Sequence, residues 1–439
     1  MSRLKYLILT PRGLFPADTG GKIRSSNLFR ELAKVADTTI VSYQSAEDSP
    51  AALEEMRQCC THLELVEWKE VKTLSPQFFP KLAGNMFSNT PYNVAKYFTR
   101  DMEKRIKQLL AENHYDALIC DFLQAALNVA HLEYQPKILF EHNVEAIIRQ
   151  RQHQKANNPV LKSFLYWDWY RTHRFEKQTG DVFDHAIMVS DKDCETMASD
   201  YGIHSTSSIP LGVDVDYFSS KERDVGGKNL VFTGSMDWLP NQDAITHYID
   251  DVLPLLRKQE PVTFWIVGRN PPPHISKLAE LHDDVRVTGA VEDIRPYLED
   301  AAVYVVPLRI GGGTRIKIFE AMAMNRAIVS TTIGAEGLPV THGQDILLAD
   351  TPEAQASATV ELLRDQARRV SIADAGCKLV TENYTWGVAA QSFADICKGV
   401  VERHAESPSP LKPRKTMRNM ALTAIRTAGG RLKPEKGDQ

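Results

Sequence analysis

The stretch that most constrains what this 439-residue chain can fold into runs from Val303 to Ala323. Residues 303–306 are apolar, too few for a helix, and read as a buried strand; Pro307 ends it, and Gly311, Gly312 and Gly313 follow. Ile316, Phe319 and Ala323 then recur at helical spacing. A strand that passes to a helix through a glycine loop forms an anion cradle, because the glycines let a ligand approach the backbone and the first helical N–H groups face it. Gly312, Gly313, Thr314 and Ile316 would line that cradle. Lys317 and Glu320, three residues apart, share one helix face, and Gly313 points the same way from one turn earlier. That face offers N–H groups and a cation for a pyrophosphate, and a carboxylate for a pair of ribose hydroxyls. The alternative is a plain glycine turn followed by a solvated Lys–Glu pair contributing about 0.3 kcal/mol. The run is neither a Walker A loop, since no Gly-Lys-Ser/Thr follows, nor a Gly-x-Gly-x-x-Gly fingerprint, since position 316 is Ile.

Composition narrows the class. The chain is too long for one ordinary core and suits two domains. Its 43% hydrophobic and 25% charged residues are those of a water-soluble protein, and a formal net charge of −4 gives no general affinity for nucleic acid. Six cysteines without Cys-x-x-Cys spacing suit a reducing cytosol better than a disulfide or zinc framework. The apolar run at the amino terminus is too short for a signal peptide, and no run of about 18 apolar residues occurs. The expectation is a cytoplasmic protein without a membrane span.

The amino-terminal half reads as a parallel α/β unit. A strand over 6–9 leads through Thr19, Gly20 and Gly21 to a helix over 25–35 and a second strand over 38–42, a βαβ unit. Further strands are expected over 63–68, 116–120 and 137–140, and 184–189 is expected to be the last of this half. Gly20 and Gly21 sit where a strand gives way to a helix, either as a ligand loop or as a turn. His142 follows the 137–140 strand at its carboxyl end, where ligands of parallel sheets bind. No second His or Cys stands at ligand spacing beside it, so no metal is expected there. Residues 149–178 are helical in period, and Phe164, Tyr166, Trp167, Trp169 and Tyr170 read as packing residues. The second half repeats the pattern with strands over 230–233, 262–267, 285–288 and 303–306. Their glycine-rich ends at Gly234, Gly268, Gly289 and Gly311 mark one ligand edge. A helix over 241–257 and three helical segments after 352 complete it.

The segment Gly311 to Ala323, with Glu320-Ala321-Met322-Ala323, resembles the nucleotide-sugar motif of family 4 retaining glycosyltransferases. The run Ile209-Pro210-Leu211-Gly212-Val213-Asp214 to Phe218 is similar to the linker between the two halves of that family, and His142-Asn143-Val144-Glu145 to the motif after a middle strand. The resemblance spans residues 3–400. It implies a GT-B fold, two Rossmann-like domains facing across a cleft. An acceptor-side domain would cover 1–208, a nucleotide-sugar domain 209–384, and a crossover helix 385–405 would return to the first. It further implies a metal-independent transferase without cofactor that moves a sugar from a nucleoside diphosphate to a hydroxyl of a glycan or lipid-linked acceptor. Arg315 and Lys317 would neutralise the diphosphate, Glu320 would hold the ribose, and Gly20, Gly21, Gly268 and Arg269 would lie against the donor. His142 would contact the transferred sugar, and the 72–99 region would face the acceptor.

Departures temper the likeness. Where many members carry a first glutamate in the key motif this chain has Gly312, and the loop 234–238 lacks the Arg and Lys that others place there. Two Asp-x-Asp triplets, at Asp191 and Asp214, fall at a helix start and in the linker rather than at a metal-binding strand end. A nucleotide-sugar epimerase and a non-catalytic binding subunit of the same architecture stand as alternatives. Residues 406–439 form a Pro-containing basic tail in which Met417, Met420, Leu422 and Ile425 lie among Lys and Arg. It reads as either a disordered tail or a contact with a membrane surface.

Overall fold

The computed structural model describes residues 3–69, 75–76, 78–86, 88–156, 158–220, 227–310, 316–407, 417–421 and 423. The chain divides into two compact units, one of Met1–Pro210 with Ala389–Gln439, the other of Leu211–Val388.

The first unit is built on seven parallel strands: β1 (Lys5–Leu9), β2 (Asp37–Gln44), β3 (His62–Glu67), β4 (Ala117–Asp121), β5 (Lys137–Phe140), β6 (His185–Met188) and β7 (Thr206–Ser208). They lie in the order β3-β2-β1-β4-β5-β6-β7. The central strands are apolar on both faces because helices cover both, and β1, β4 and β5 are buried almost throughout. Chain order reverses between β1 and β4, which are in direct register from Tyr6 with Ala117 to Leu9 with Cys120. Their carboxyl ends therefore flank a topological switch point, the place where such sheets bind ligands. From Ala389 the helix Trp386–Glu406 packs on this sheet, with Phe393 edge-on to Phe140 at 5.2 Å and Cys397 buried.

The second unit holds β8 (Asn229–Thr233), β9 (Thr263–Val267), β10 (Val285–Val287), β11 (Val303–Val306), β12 (Ile328–Ser330) and β13 (Leu347–Leu348). All are parallel, in the order β10-β9-β8-β11-β12-β13, and the switch point falls between β8 and β11.

Several sequence expectations shift. The first helix starts at Gly20 rather than 25, so the glycine pair forms its opening turn, where the helix asks least of each residue because the first N–H groups have no intrahelical partner. β6 is not the last strand of its unit: the short polar β7 follows, too small and too hydrophilic to show in periodicity. The helix expected over 241–257 is interrupted by a wider turn at Tyr248–Val252, because Pro254 has no N–H to continue the ladder. Of the aromatics read as packing residues, Trp169 does pack on the core, whereas Tyr166, Trp167 and Tyr170 are exposed. In the tail, Met417, Met420 and Ala421 are buried in the first unit's core, so those methionines form neither a disordered stretch nor a face open to a membrane. Leu422 and Ile425 lie outside the described residues. Both Asp-x-Asp triplets are used locally: Ser190 Oγ caps the helix Asp191–Tyr201 by accepting from the N–H of Asp193 and donates to that residue's carboxylate, and Asp214 accepts from the N–H of Tyr217. Among the described residues, no helix is long and apolar enough to cross a membrane.

Candidate functional site

Each switch point gathers its own cluster. In the second unit the strand ends of β8, β9 and β11 converge. The loop after β8 is sewn to the loop after β9, with Gly234 N–H donating to Val267 O at 2.9 Å and Met236 N–H to Arg269 O at 2.9 Å. This approach requires glycine: a Cβ on Gly268 would stand 1.8 Å from the carbonyl oxygen of Gly234. Lys317, in the first turn of the helix Ile316–Ala323, reaches back into the same place. Its Nζ donates to Thr233 O at 2.7 Å and to Asn241 Oδ1 at 3.2 Å, and lies 4.1 Å from the centre of the Phe232 ring. Arg269 Nε donates to Ser235 Oγ at 3.2 Å, and Ser235 Oγ to Asp237 Oδ1 at 2.6 Å. The loop that lacks Arg and Lys in sequence thus receives one cation from β9's end and another from the helix after β11. On the flank, Arg309 grips Asp243 through two bonds of 2.7 and 3.1 Å.

Glu320 stands one turn beyond Lys317 and is half-buried. Burial pushes its carboxyl up to about 7 against the opposing pull of Lys317. Tyr304, buried on β11, has Glu320 as an electrostatic neighbour and shares a 2.6 Å bond between its hydroxyl and Thr233 Oγ1. Strand end, cation and carboxylate are thereby coupled in one network. Gly312, Gly313, Thr314 and Arg315 lie outside the described residues, whereas Ile316 opens the helix and is half-buried.

The first unit's cluster forms at the ends of β1, β4 and β5. Thr19 caps the helix Gly20–Val35 in extended conformation without a side-chain bond to it. Gly21 lies against the Phe122 ring: a Cβ there would be 2.7 Å from Cε1 and Cζ, and 3.9 Å from Nδ1 of His142. Phe122, at φ +66°, stacks on the His142 imidazole with centroids 4.0 Å apart. His142 is buried, its Nε2 2.8 Å from Asp121 Oδ1 and 3.3 Å from Ser25 Oγ, while Ser25 Oγ donates to Asp121 Oδ2 at 2.9 Å. A carboxylate can only accept, so Nε2 carries the proton in this triad. Burial pushes the Asp121 carboxyl up and the His142 imidazole down, in each case against the attraction of the other. His142 Nδ1 is buried without a hydrogen-bond partner. Arg24, half-buried on the same helix, is held down to about 10 by burial, with Asp193 and Asp121 pulling the other way.

Behind His142, Glu141 is buried beside Glu176, and burial together with that neighbour holds its carboxyl well above the usual range. Glu176 accepts from the N–H groups of Glu145 and Ala146 at 2.7 and 3.4 Å and from the Tyr201 hydroxyl, fixing the start of the helix Glu145–Lys155. Ser25, Asp121, Thr233 and Asn241 were not singled out in the sequence. Asp121 had a usable signal, a carboxylate closing an otherwise apolar strand at its carboxyl end. Asn241 and the Thr233 carbonyl had none, because their roles exist only once Lys317 arrives.

Comparison with known proteins accounts for this architecture. Residues 227–365 match the family described as glycosyl transferases group 1. The chain is 20% identical over 336 residues, 72% of its own length and 85% of the relative's, to an uncharacterised 44.6 kDa protein in the cps region of Klebsiella pneumoniae. It is 25% identical over 326 residues, 68% of this chain and 80% of the relative, to the GDP-mannose-dependent alpha-(1-6)-phosphatidylinositol monomannoside mannosyltransferase of Mycobacterium tuberculosis. Among solved structures, Anabaena HepE in complex with UDP superposes with a TM-score of 0.61 at 12% identity, covering 91% of this chain and all of that one. A variant of S. aureus TarM superposes with a TM-score of 0.62 at 11% identity, covering 90% and 99%. The fold is the GT-B fold, two parallel Rossmann-like units.

Proposed function

We propose that the chain is a retaining, metal-independent hexosyltransferase that moves a sugar from a nucleoside diphosphate to a hydroxyl of a cell-surface polysaccharide or lipid-linked glycan. The observation that carries this is the placement of Lys317 at the end of β8 with Glu320 one turn behind it on the same helix face. As the glycosidic bond breaks, charge grows on the departing diphosphate. Lys317, with Arg269, supplies fixed positive charge there, stronger for the transition state than for the ground state. Glu320, ionised, accepts the two ribose hydroxyls and sets the register of the nucleotide. In the first unit, Gly20 and Gly21 present the start of a helix and His142 contacts the transferred sugar, held in orientation by Asp121 and Ser25. In same-face attack the acceptor's proton goes to the leaving phosphate oxygen, the new glycosidic bond forms as the old one breaks, and the anomeric configuration is kept. A relative that uses GDP-mannose and a fold neighbour solved with UDP leave the base open to test.

The test is calorimetry of nucleoside diphosphates and their sugars, without divalent metal, on the wild type and Glu320→Ala, followed by NMR of the product anomer. Metal-free binding of one nucleotide, lost in the variant, with a retained anomer supports the proposal. Strict metal dependence or an inverted product overturns it, as does donor turnover without acceptor, which marks an epimerase. Tight nucleotide binding with no transfer to any acceptor marks a binding subunit instead.

A further inference from the structure

Eight large apolar side chains of the first unit are exposed among the described residues, and seven of them fall on two adjoining helices. Phe79 and Met86 belong to the helix Phe78–Asn85 and the turn that ends it. Val160, Leu161, Tyr166, Trp167 and Tyr170 belong to the first half of the helix Pro159–Val182. The two helices are locked together: Trp167 Nε1 donates to Met86 O at 3.2 Å, and Arg171 Nη1 to Asn85 O at 2.9 Å and Ser88 O at 3.2 Å. Trp167 and Tyr170 stack at 5.8 Å, yet stay 36% and 43% exposed, and Val160 is 80% exposed. Spacings of seven, three and four residues place Val160, Trp167, Tyr170 and Arg174 on one face of the helix.

The two segments that carry this face are rich in cations and hold one carboxylate. Residues 78–100 contain Lys81, Lys96 and Arg100 and no acid. Across 149–174 the one acid is Asp168, which is already occupied by Arg171 at 3.2 Å and Arg149 at 3.6 Å. Arg151, Lys162 and Arg174 are exposed. All this occurs on a chain whose net charge is −4.

We propose that this face docks on an anionic lipid surface, with Val160, Trp167 and Tyr170 entering the headgroup layer and Lys81, Lys162 and Arg174 reaching its phosphates. Tryptophan and tyrosine, with an apolar body and a polar edge, are the side chains that settle at a bilayer interface. Cations are attracted by anionic headgroups, and the long Lys and Arg stems extend to them while their carbons stay on the apolar patch. A second copy of the same face is disfavoured, since a two-fold contact would set like charges against each other. The tail does not compete for this role with its methionines, which are buried in the core.

The experiment is vesicle sedimentation of the full chain with phosphatidylcholine alone and with phosphatidylcholine plus phosphatidylglycerol. It compares wild type with Val160→Ser/Tyr170→Ser and with Lys162→Glu/Arg174→Glu, with thermal melting and nucleotide affinity as folding controls. Binding to the anionic vesicles alone, weakened by salt and reduced about tenfold in each double variant at unchanged melting and nucleotide affinity, is the expected result. The proposal is overturned if the wild type ignores anionic vesicles, if it binds neutral ones equally, or if both variants bind like wild type. It is also overturned if the substitutions abolish self-association in the ultracentrifuge without any vesicle binding.

Discussion

Lys317 and Thr233 meet at the switch point of the second unit, where the ammonium at the start of the helix Ile316–Ala323 donates at 2.7 Å to the carbonyl that closes β8. Lys317→Ala removes the cation and leaves the Thr233 and Asn241 oxygens short of a donor. The expected loss in kcat/KM is on the order of 10²-fold to 10³-fold, about 3–4 kcal/mol of transition-state stabilisation. Lys317→Arg restores part of it at most, since Nζ sits where a Cβ on Gly234 would be only 2.8 Å away and a planar guanidinium needs more room. Steady-state kinetics decide the matter, and an alanine variant within twofold of wild type would remove Lys317 from the site.

Glu320 makes nucleotide binding and stability depend on pH in opposite ways. Its carboxyl is raised from 4.5 to about 7, so between those values the folded chain holds a proton that the unfolded chain has released. Stability therefore falls as pH rises from about 4.5 to about 7 and is level above that. The ribose needs the ionised form, so nucleoside diphosphate affinity rises from pH 6 to pH 8, by less than about tenfold per unit. Glu320→Gln flattens both profiles. Calorimetric titrations and melting curves over this range supply the check, and a variant with the wild-type slopes would assign them to another group.

Gly268→Ala sets a Cβ 1.8 Å from the Gly234 carbonyl oxygen, and a backbone atom cannot swing away as a side chain can. The two loops must part, breaking the Gly234 to Val267 and Met236 to Arg269 bonds. A loss of about 3 kcal/mol or more in stability is expected, with nucleotide affinity reduced at temperatures where the variant is still folded. Chemical denaturation and calorimetry measure both, and unchanged stability would mean the loops yield freely.

Gly21→Ala tests the first unit. The added methyl falls 2.7 Å from the buried Phe122 ring, which stacks on His142, so the ring and the imidazole must shift together. The expected cost is about 1–3 kcal/mol in stability, with a drop in kcat that exceeds any change in nucleotide affinity. His142→Ala reproduces the kcat effect without the overpacking. If Gly21→Ala loses stability but His142→Ala retains full kcat, the glycine serves packing alone.

His142 and its surroundings show where sequence reading stops. Its place at the end of an apolar strand was legible, because strand ends in parallel sheets are marked by a change from apolar to polar residues. Its partners were not: Ser25 and Asp121 are 117 and 21 residues away in the chain, and only β1, β4 and β5 lying side by side bring them into hydrogen-bond range. The same holds for the cations of the second unit. Lys317 and Arg269 could be named as basic residues after strands, but the sequence could not say that both turn toward Gly234 and Ser235.

By itself the sequence determined the βα alternation and the parallel sheets, since these rest on local periodicity and glycine placement. Tertiary structure alone decided strand order, the triad around His142 and the burial of Met417 and Met420. It also decided the exposure of Trp167 and Tyr170. The physical reason is that a side chain's burial depends on what packs over it. A helix carrying aromatics on several faces looks the same in sequence whether a neighbour covers those faces or water does.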